Sequence, residues 1–209
     1  MLPQTGRQIL PASYGSDLGF IWKPFSSLLV NAAAWHLFLE QEFVYVGDAG
    51  IVEPGGKTRR VGADVSVRWQ PSKHFSADAN INYAHARSIE DPKGENYIPL
   101  APTFTSTGGV NYQHNSWNAS IRYRYLANRA ATEDYSITAK GYFVTDASIS
   151  YAFRKFEIGT VIENLFNTEW NEAQFATESR LRNETDPVNE LHYTPGNPFF
   201  LKLKIAFKF

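Results

Sequence analysis

Apolar residues recur at every second position along most of the chain, and the pattern is clearest at the C-terminus. In the segment 199–209 every second residue from Phe199 to Phe209 is apolar, whereas the intervening positions include Lys202, Lys204 and Lys208. Successive side chains of a β-strand point to opposite faces of the sheet. The segment is therefore predicted to be a strand with one apolar face and one basic face.

The same alternation recurs throughout the chain, with Gly, Pro and Asn between the alternating segments. This pattern favours strands over helices. Nine strands are predicted, at 16–23, 28–46, 60–70, 75–88, 103–113, 117–126, 142–153, 156–164 and 199–209. Their connections alternate between short turns (24–27, 71–74, 114–116 and 154–155) and long loops (47–59, 89–102, 127–141 and 165–198).

Alternating short and long connections are typical of transmembrane β-barrels, whose strands of about 10 residues have short turns at one rim and long loops at the other. The predicted fold class is accordingly all-β, an antiparallel transmembrane β-barrel. No apolar run approaches the roughly 20 residues of a membrane-spanning helix, since the segment Leu28–Leu39 is interrupted by Asn31 and His36. A soluble β-sandwich or lipocalin-like barrel alternates in the same way and is the alternative.

The content of aromatic residues also fits a membrane barrel. Aromatic side chains make up 15% of the 209 residues, with 15 Phe, 11 Tyr and 5 Trp, and membrane barrels use aromatic belts at both interfaces. The 20 Lys and Arg nearly balance the 21 Asp and Glu, which argues against a basic nucleic-acid-binding protein. The absence of cysteine excludes disulfides, thiolate metal sites and cysteine catalysis.

The odd number of predicted strands indicates that they form only part of a barrel. Intact bacterial barrels have an even strand count with both ends in the periplasm. Nine strands therefore predict that residues 1–209 are the C-terminal segment of a larger barrel. The alternative is a small self-contained barrel in which one strand has been miscounted.

Several segments together resemble the C-terminal part of the β-barrel of TonB-dependent outer-membrane receptors. They are Ser16–Gly19, Glu42–Gly50, Lys57–Trp69, Ile98–Tyr112, Glu163–Trp170 (ENLFNTEW) and the final run from Tyr193 to Phe209. The resemblance implies about nine C-terminal strands of a barrel of the roughly 22-stranded type, located in the bacterial outer membrane. No part of the chain resembles the family's plug domain or TonB box.

The resemblance also implies a function and a set of partners. The expected function is TonB-driven uptake of a scarce nutrient, such as a siderophore-iron complex, cobalamin or an oligosaccharide. The expected partners are outer-membrane lipid, the N-terminal remainder of the receptor with its plug, and the TonB complex through that remainder. The barrel-assembly machinery is a further partner, and its signal is expected in Leu203, Ile205, Phe207 and Phe209, which can dock by strand addition. Alternatively, these four residues only face lipid.

Ligand recognition is expected in the long loops, because a rigid scaffold positions them. Loop 127–141 contains Arg129, Glu133 and Asp134, and loop 165–198 contains Trp170, Arg180 and Arg182. Arginine and tryptophan bind anionic or planar groups through charge-assisted hydrogen bonds and stacking. Alternatively, these residues pack the loops against each other. The inward Arg122, Arg124, Lys202 and Lys204 are equally explained as wall residues that meet carboxylates of a plug.

The sequence predicts no catalytic, cofactor or metal site. Ser16, Ser88 and Ser148 lack the flanking glycines of a nucleophile elbow, and the five histidines show no metal-ligand spacing. The chain is therefore predicted not to be an enzyme. Two alternative functions are a self-contained barrel serving as an adhesin, porin or structural protein, and an outer-membrane hydrolase.

Overall fold

The computed structural model describes residues 11–46 and 51–207, with backbone alone for 44–46 and 51–54. Within these ranges the chain forms fifteen strands and no helix, so these residues include no helix that could cross a membrane. In chain order the strands are β1 (Ser13–Phe25), β2 (Leu28–Leu39), β3 (Phe43–Val46), β4 (Ile51–Pro54), β5 (Thr58–Trp69), β6 (Phe75–Ser88), β7 (Phe104–His114), β8 (Trp117–Leu126), β9 (Arg129–Ala130), β10 (Thr138–Ala139), β11 (Tyr142–Phe153), β12 (Phe156–Glu163), β13 (Asn171–Ser179), β14 (Val188–Pro195) and β15 (Phe200–Phe207).

Nine of the described strands form one antiparallel sheet in the order β1-β2-β5-β6-β7-β8-β11-β12-β15. Each strand pairs with the next long strand along the chain, which is the meander that the sequence predicted. Within the described residues the sheet is open, because β1 and β15 lie at opposite edges. The all-β fold and the nine-stranded sheet are thus confirmed.

Three further hairpins lie within the long connections: β3–β4, β9–β10 and β13–β14. The prediction of a single strand over 28–46 is wrong. Strand β2 ends at Leu39, and the chain bends before β3 begins at Phe43. Backbone bonds between Glu42 and the pair Gly55 and Gly56 close the β3–β4 hairpin at this bend, so β3 cannot continue the main sheet.

The two rims of the sheet differ in the length of their connections. At the short-turn rim, two to five residues join β1 to β2, β5 to β6, β7 to β8 and β11 to β12. At the long-loop rim lie the three extra hairpins and the segment between β6 and β7. Buried side chains gather under these long connections: Ala130, Ala139 and Val144 are examples, and Asn164 is 2% exposed.

Directly paired residues of neighbouring strands share a face of the sheet. The alternation of apolar and polar residues therefore extends across all nine strands. The apolar face includes Leu18, Phe20, Trp22, Val30, Ala32, Val65, Val67, Ala79, Ile81, Val110, Trp117, Ile121, Ile149, Tyr151, Ile158, Leu203 and Ile205. The polar face includes Asn31, Asp64, Ser66, Asp78, Asn80, Asn111, Ser120, Arg122, Arg124, Asp146, Ser148, Glu157, Glu163, Lys202 and Lys204.

Candidate functional site on the polar face and long-loop rim

An ion pair crosses the polar face over a glycine. Asp78 on β6, Gly109 on β7 and Arg122 on β8 stand side by side in register. The guanidinium of Arg122 donates two hydrogen bonds to the Asp78 carboxylate, one of them 3.0 Å long. A Cβ at position 109 would approach Cδ of Arg122 to 2.7 Å. Glycine at this position therefore allows Arg122 to reach a partner two strands away.

Three other inward cations are also paired within the sheet. Arg124 lies 3.3 Å from Asp146 and Lys204 lies 3.0 Å from Glu157. Lys202 forms an ion pair with Glu163. The sequence analysis allowed these cations, together with Arg122, to meet carboxylates of a plug. Each of them has a carboxylate partner on the same wall, and contact with a plug stays a prediction.

Asn164 joins the long-loop rim to the sheet immediately after β12. Its backbone N–H donates to Asp146 at 2.9 Å, and its side-chain amide donates to the carbonyls of Thr168 and Asn197 at 2.8 and 3.0 Å. Asn164 and Asn167 both have φ of +50°, a left-handed conformation that Asn tolerates better than most residues. The two asparagines of ENLFN thus form a tight turn, and the sequence analysis missed their structural role.

Among the predicted ligand residues, Trp170 has a hydrogen bond, a guanidinium and a second aromatic ring around its indole. Its indole Nε1 donates to the carbonyl of Asn197 at 3.0 Å, and its ring lies over Gly196, where no Cβ would fit. The guanidinium carbon of Arg124 is 5.4 Å from the ring centroid, and the ring of Tyr142 is 4.9 Å away. Two clefts, of about 300 Å³ and about 660 Å³, are both lined by Trp170.

The residues predicted in loop 127–141 mainly organise that loop. Asp134 accepts hydrogen bonds from the backbone and hydroxyl of Ser136, at 3.0 and 2.7 Å. These bonds lower the pKa of Asp134 to about 2 because they stabilise the charged carboxylate. The backbone carbonyl of Glu133 accepts a hydrogen bond from Tyr97 at 3.0 Å, which ties this loop to the segment between β6 and β7.

Arg129 is half-buried on β9. Burial lowers the pKa of its guanidinium, and its Nη1 has no hydrogen-bond partner among the described residues. A buried cationic nitrogen without a partner is costly. Arg129 thus retains the capacity to bind an acceptor.

Arg180 and Arg182 lie between β13 and β14 and are exposed. Among the described residues neither forms an ion pair. The six predicted ligand residues therefore occupy three places: loop 127–141, the surroundings of Trp170, and the end of the β13–β14 hairpin.

The predicted assembly residues lie on the last strand. Leu203 and Ile205 are on the apolar face and are 80% and 76% exposed. The ring of Phe207 lies 5.0 Å from that of Phe156. Phe209 lies outside the described residues. The placement on one face agrees with the alternation, whereas the signal role stays a prediction.

Comparison with known families identifies this two-faced sheet. The family model for the TonB-dependent receptor-like β-barrel matches residues 3–165, which is most of the chain. The chain belongs to the TonB-dependent receptor β-barrel family. A search of curated proteins found no match.

Solved receptors share the fold of this TonB-dependent receptor chain at low identity. The ferric yersiniabactin uptake receptor FyuA from Yersinia pestis superposes with a TM-score of 0.73 at 15% identity, over 94% of this chain and 30% of that one. The closed form of the ferric-catecholate import receptor Fiu from E. coli K12 gives 0.68 at 22% identity, over 94% and 27%. The copper transporter OprC gives 0.68 at 18% identity, over 94% and 32%. The chain thus spans about a third or less of these structures.

The TonB-dependent receptor family indicates what each face of such a sheet contacts. The family's barrels are receptors and transporters of the bacterial outer membrane. In such barrels the outward band is apolar and the interior is polar. In a barrel of this family, the face that corresponds to the apolar face here is turned to lipid, and the face that corresponds to the polar face lines the interior. The short turns of such barrels lie on the periplasmic side and the long loops on the extracellular side.

Proposed function

We propose that residues 1–209 form the C-terminal part of the barrel of an outer-membrane receptor for TonB-driven uptake of a scarce nutrient. The observation that carries this proposal is the polar face, whose four cation–carboxylate pairs line the interior below interlocked long loops. A solid wall with satisfied charges suits a barrel that surrounds another domain and a passing ligand. The nutrient class is a siderophore-iron complex, cobalamin or an oligosaccharide.

The proposal includes the partners that such a receptor needs. Outer-membrane lipid covers the apolar face, and a plug with the N-terminal strands completes the barrel. The TonB complex acts through that N-terminal part. The barrel-assembly machinery reads the terminal strand through Leu203, Ile205, Phe207 and Phe209.

Within the proposed receptor, the ligand meets the long-loop rim near Trp170. The indole ring and the guanidinium of Arg124, 5.4 Å away, offer an aromatic surface and a positive charge beside an open cleft. Arg129 adds a cationic nitrogen without a hydrogen-bond partner in the described part of the chain. Arg180 and Arg182 supply exposed positive charge further out. This combination favours an anionic ligand with planar groups, such as a ferric siderophore. Glu133 and Asp134 support the loop that presents Arg129.

Uptake by whole cells tests the proposal. Cells that lack the gene are compared with cells that carry the natural gene, using ferric siderophores labelled with radioactive iron and labelled cobalamin. We expect accumulation of one ligand class that stops when a protonophore collapses the proton gradient. Ligand entry that the protonophore leaves unchanged would indicate a passive porin-type barrel, and ligand breakdown at the surface would indicate a hydrolase.

A pair of tryptophan variants tests the placement of the ligand. Trp170→Ala should weaken ligand binding to whole cells about tenfold or more, in keeping with the loss of an aromatic contact beside a charge. Trp117→Phe, on the apolar face at the opposite rim, is the matched control and should bind normally. Equal affinities for the two variants would contradict a site at Trp170.

A further inference from the structure

The short turn between β11 and β12 consists of two cations, Arg154 and Lys155. Both side chains are exposed, and among the described residues neither forms an ion pair. The nearest acidic residue along the chain is Glu157, which pairs with Lys204 on the polar face at 3.0 Å. The turn therefore presents two positive charges that no carboxylate in the described part of the chain neutralises.

Both cations lie over aromatic rings of the apolar face. Phe153 and Phe156 pair directly across the turn, and Phe156 also pairs with Phe207 on β15. The guanidinium carbon of Arg154 is 5.2 Å from the ring centroid of Phe153, and Nζ of Lys155 is 5.9 Å from that of Phe207. Since a cation is attracted to the face of an aromatic ring, these contacts hold the two charges at the edge of the apolar face.

Aromatic side chains of neighbouring strands meet on the apolar face beside the short turns. The ring of Trp117 lies 4.7 Å from that of Tyr151, and the ring of Phe75 lies 5.3 Å from that of Tyr112. Aromatic residues at strand ends mark the level of the lipid headgroups in membrane barrels. In the proposed receptor the β11–β12 turn, which lies beyond these rings, is therefore at the level of the headgroup phosphates.

The distribution of charge between the two rims indicates an anionic partner at the short turns. The four short turns contain Lys73, Arg154 and Lys155 and no Asp or Glu, whereas acidic residues outnumber basic residues in the long connections. The chain as a whole has a formal charge of −1. The positive charge is therefore a local property of the short-turn rim, and the β11–β12 turn has two adjacent charges.

We propose that the β11–β12 turn binds the headgroup of an anionic glycerophospholipid of the periplasmic leaflet, such as phosphatidylglycerol. The inference rests on the proposed function, which places this turn beside that leaflet. The guanidinium of Arg154 donates paired hydrogen bonds to the phosphate, and Lys155 adds a second positive charge. A zwitterionic headgroup has an ammonium group of its own, which these two cations repel. The acyl chains of the bound lipid lie along the rings of Phe153 and Phe156.

Photocrosslinking of the full natural protein, purified from outer membranes in detergent, tests the site. The probe is a phosphatidylglycerol with a diazirine in its headgroup, and mass spectrometry locates the residues that it labels. We expect labelling within 151–158 that unlabelled phosphatidylglycerol displaces at least about fivefold more effectively than phosphatidylethanolamine with the same acyl chains. Absence of labelling there, or equal displacement by the two lipids, would overturn the proposal.

Two double variants test whether the turn itself selects the lipid. Arg154→Gln/Lys155→Gln removes both positive charges of the turn and should reduce labelling of this segment at least about fivefold. Lys57→Gln/Lys93→Gln, the matched control, removes two positive charges at the long-loop rim and should be labelled as the wild type is. A similar decrease in both double variants would assign the effect to the net charge of the protein and contradict a site at the turn, as would unchanged labelling in both.

A second measurement uses the unsubstituted protein and does not depend on the folding of any variant. The screening length for exposed charges falls from about 10 Å at about 0.1 M salt to about 3 Å at about 1 M. We therefore expect the preference for phosphatidylglycerol over phosphatidylethanolamine to fall at least about threefold over this interval. A preference that salt leaves unchanged would contradict selection by charge. These measurements use neither a nutrient nor a proton gradient, so lipid selection and the proposed uptake can fail separately.

Discussion

The apolar and polar faces of the nine-stranded sheet are built from alternate residues of the same strands, yet they are stabilised in different ways. On the apolar face, Leu203 and Ile205 are 80% and 76% exposed, and in the proposed receptor they contact lipid. On the polar face, Asp78, Arg122 and Arg124 have specific partners within the wall. In the proposed receptor the membrane thus accepts any apolar side chain on one face, whereas the other face depends on particular pairs.

The largest effect should come from placing one charge on either face of the same strand. Ile121 lies at the centre of β8 on the apolar face, and Ser120 lies beside it on the polar face. Arginine at the bilayer midplane costs about 2–4 kcal/mol, so Ile121→Arg should lower the free energy of unfolding in lipid vesicles by that amount. Ser120→Arg, the matched control, loses the hydrogen bond to Ser148 (2.8 Å) and should cost about 1 kcal/mol. Equal losses would refute the assignment of the faces.

A smaller effect is expected from breaking one specific pair of the polar face. Arg122→Leu leaves the Asp78 carboxylate without its bidentate partner and should cost about 1–3 kcal/mol in chemical denaturation. The double variant Asp78→Asn/Arg122→Leu removes the unpaired charge and should recover part of this loss. Independent, additive effects of the two substitutions would show that the pair does not couple β6 to β8.

The ion pairs of the terminal strand should matter less, because they are more exposed. The side chain of Lys204 is 61% exposed, and exposed ion pairs contribute about 0.2–1 kcal/mol. Lys204→Met should therefore lower the free energy of unfolding by less than 1 kcal/mol, whereas Ile205→Lys, one position along on the lipid face, should cost several times more. A larger loss for Lys204→Met than for Ile205→Lys would reverse the proposed faces of β15.

The smallest effect concerns the long-loop rim and depends on pH. The pKa of Asp134 is lowered to about 2 in the folded loop, below the ordinary Asp value of about 3.9. Its hydrogen bonds therefore stabilise the loop fully above that ordinary value, and the contribution is lost as the pH falls through about 2. We expect the protection of the Ser136 amide, its exchange rate compared with the intrinsic rate at the same pH, to fall over this interval in the wild type. In Asp134→Asn the exchange should be faster at neutral pH and lack this transition; a transition in the variant would assign it to another group.

Alternation made the main sheet predictable from sequence, because a period of two assigns both the strand and its face. The β3–β4 hairpin was not predictable in the same way, since Phe43–Val46 is a run of apolar residues without alternation of its own and only the backbone bonds of Glu42 show the break. Residue type also identified Trp170 and the arginines as candidates. Sequence spacing does not reveal the pairing of Arg124 with Asp146 or the bonds that Asn164 makes to distant residues, because these contacts depend on strand register.

Spin-label accessibility along β8 tests the central claim, the assignment of the two faces, most directly. Residues 1–209 contain no cysteine, so single cysteines from Asn118 to Arg124 can each carry a nitroxide in the whole receptor, freed of any cysteine elsewhere and reconstituted in lipid bilayers. The account predicts that oxygen, which concentrates in lipid, relaxes the labels at 119, 121 and 123, and that a water-soluble nickel chelate relaxes those at 118, 120, 122 and 124. A uniform response along the strand, or the opposite alternation, would contradict it.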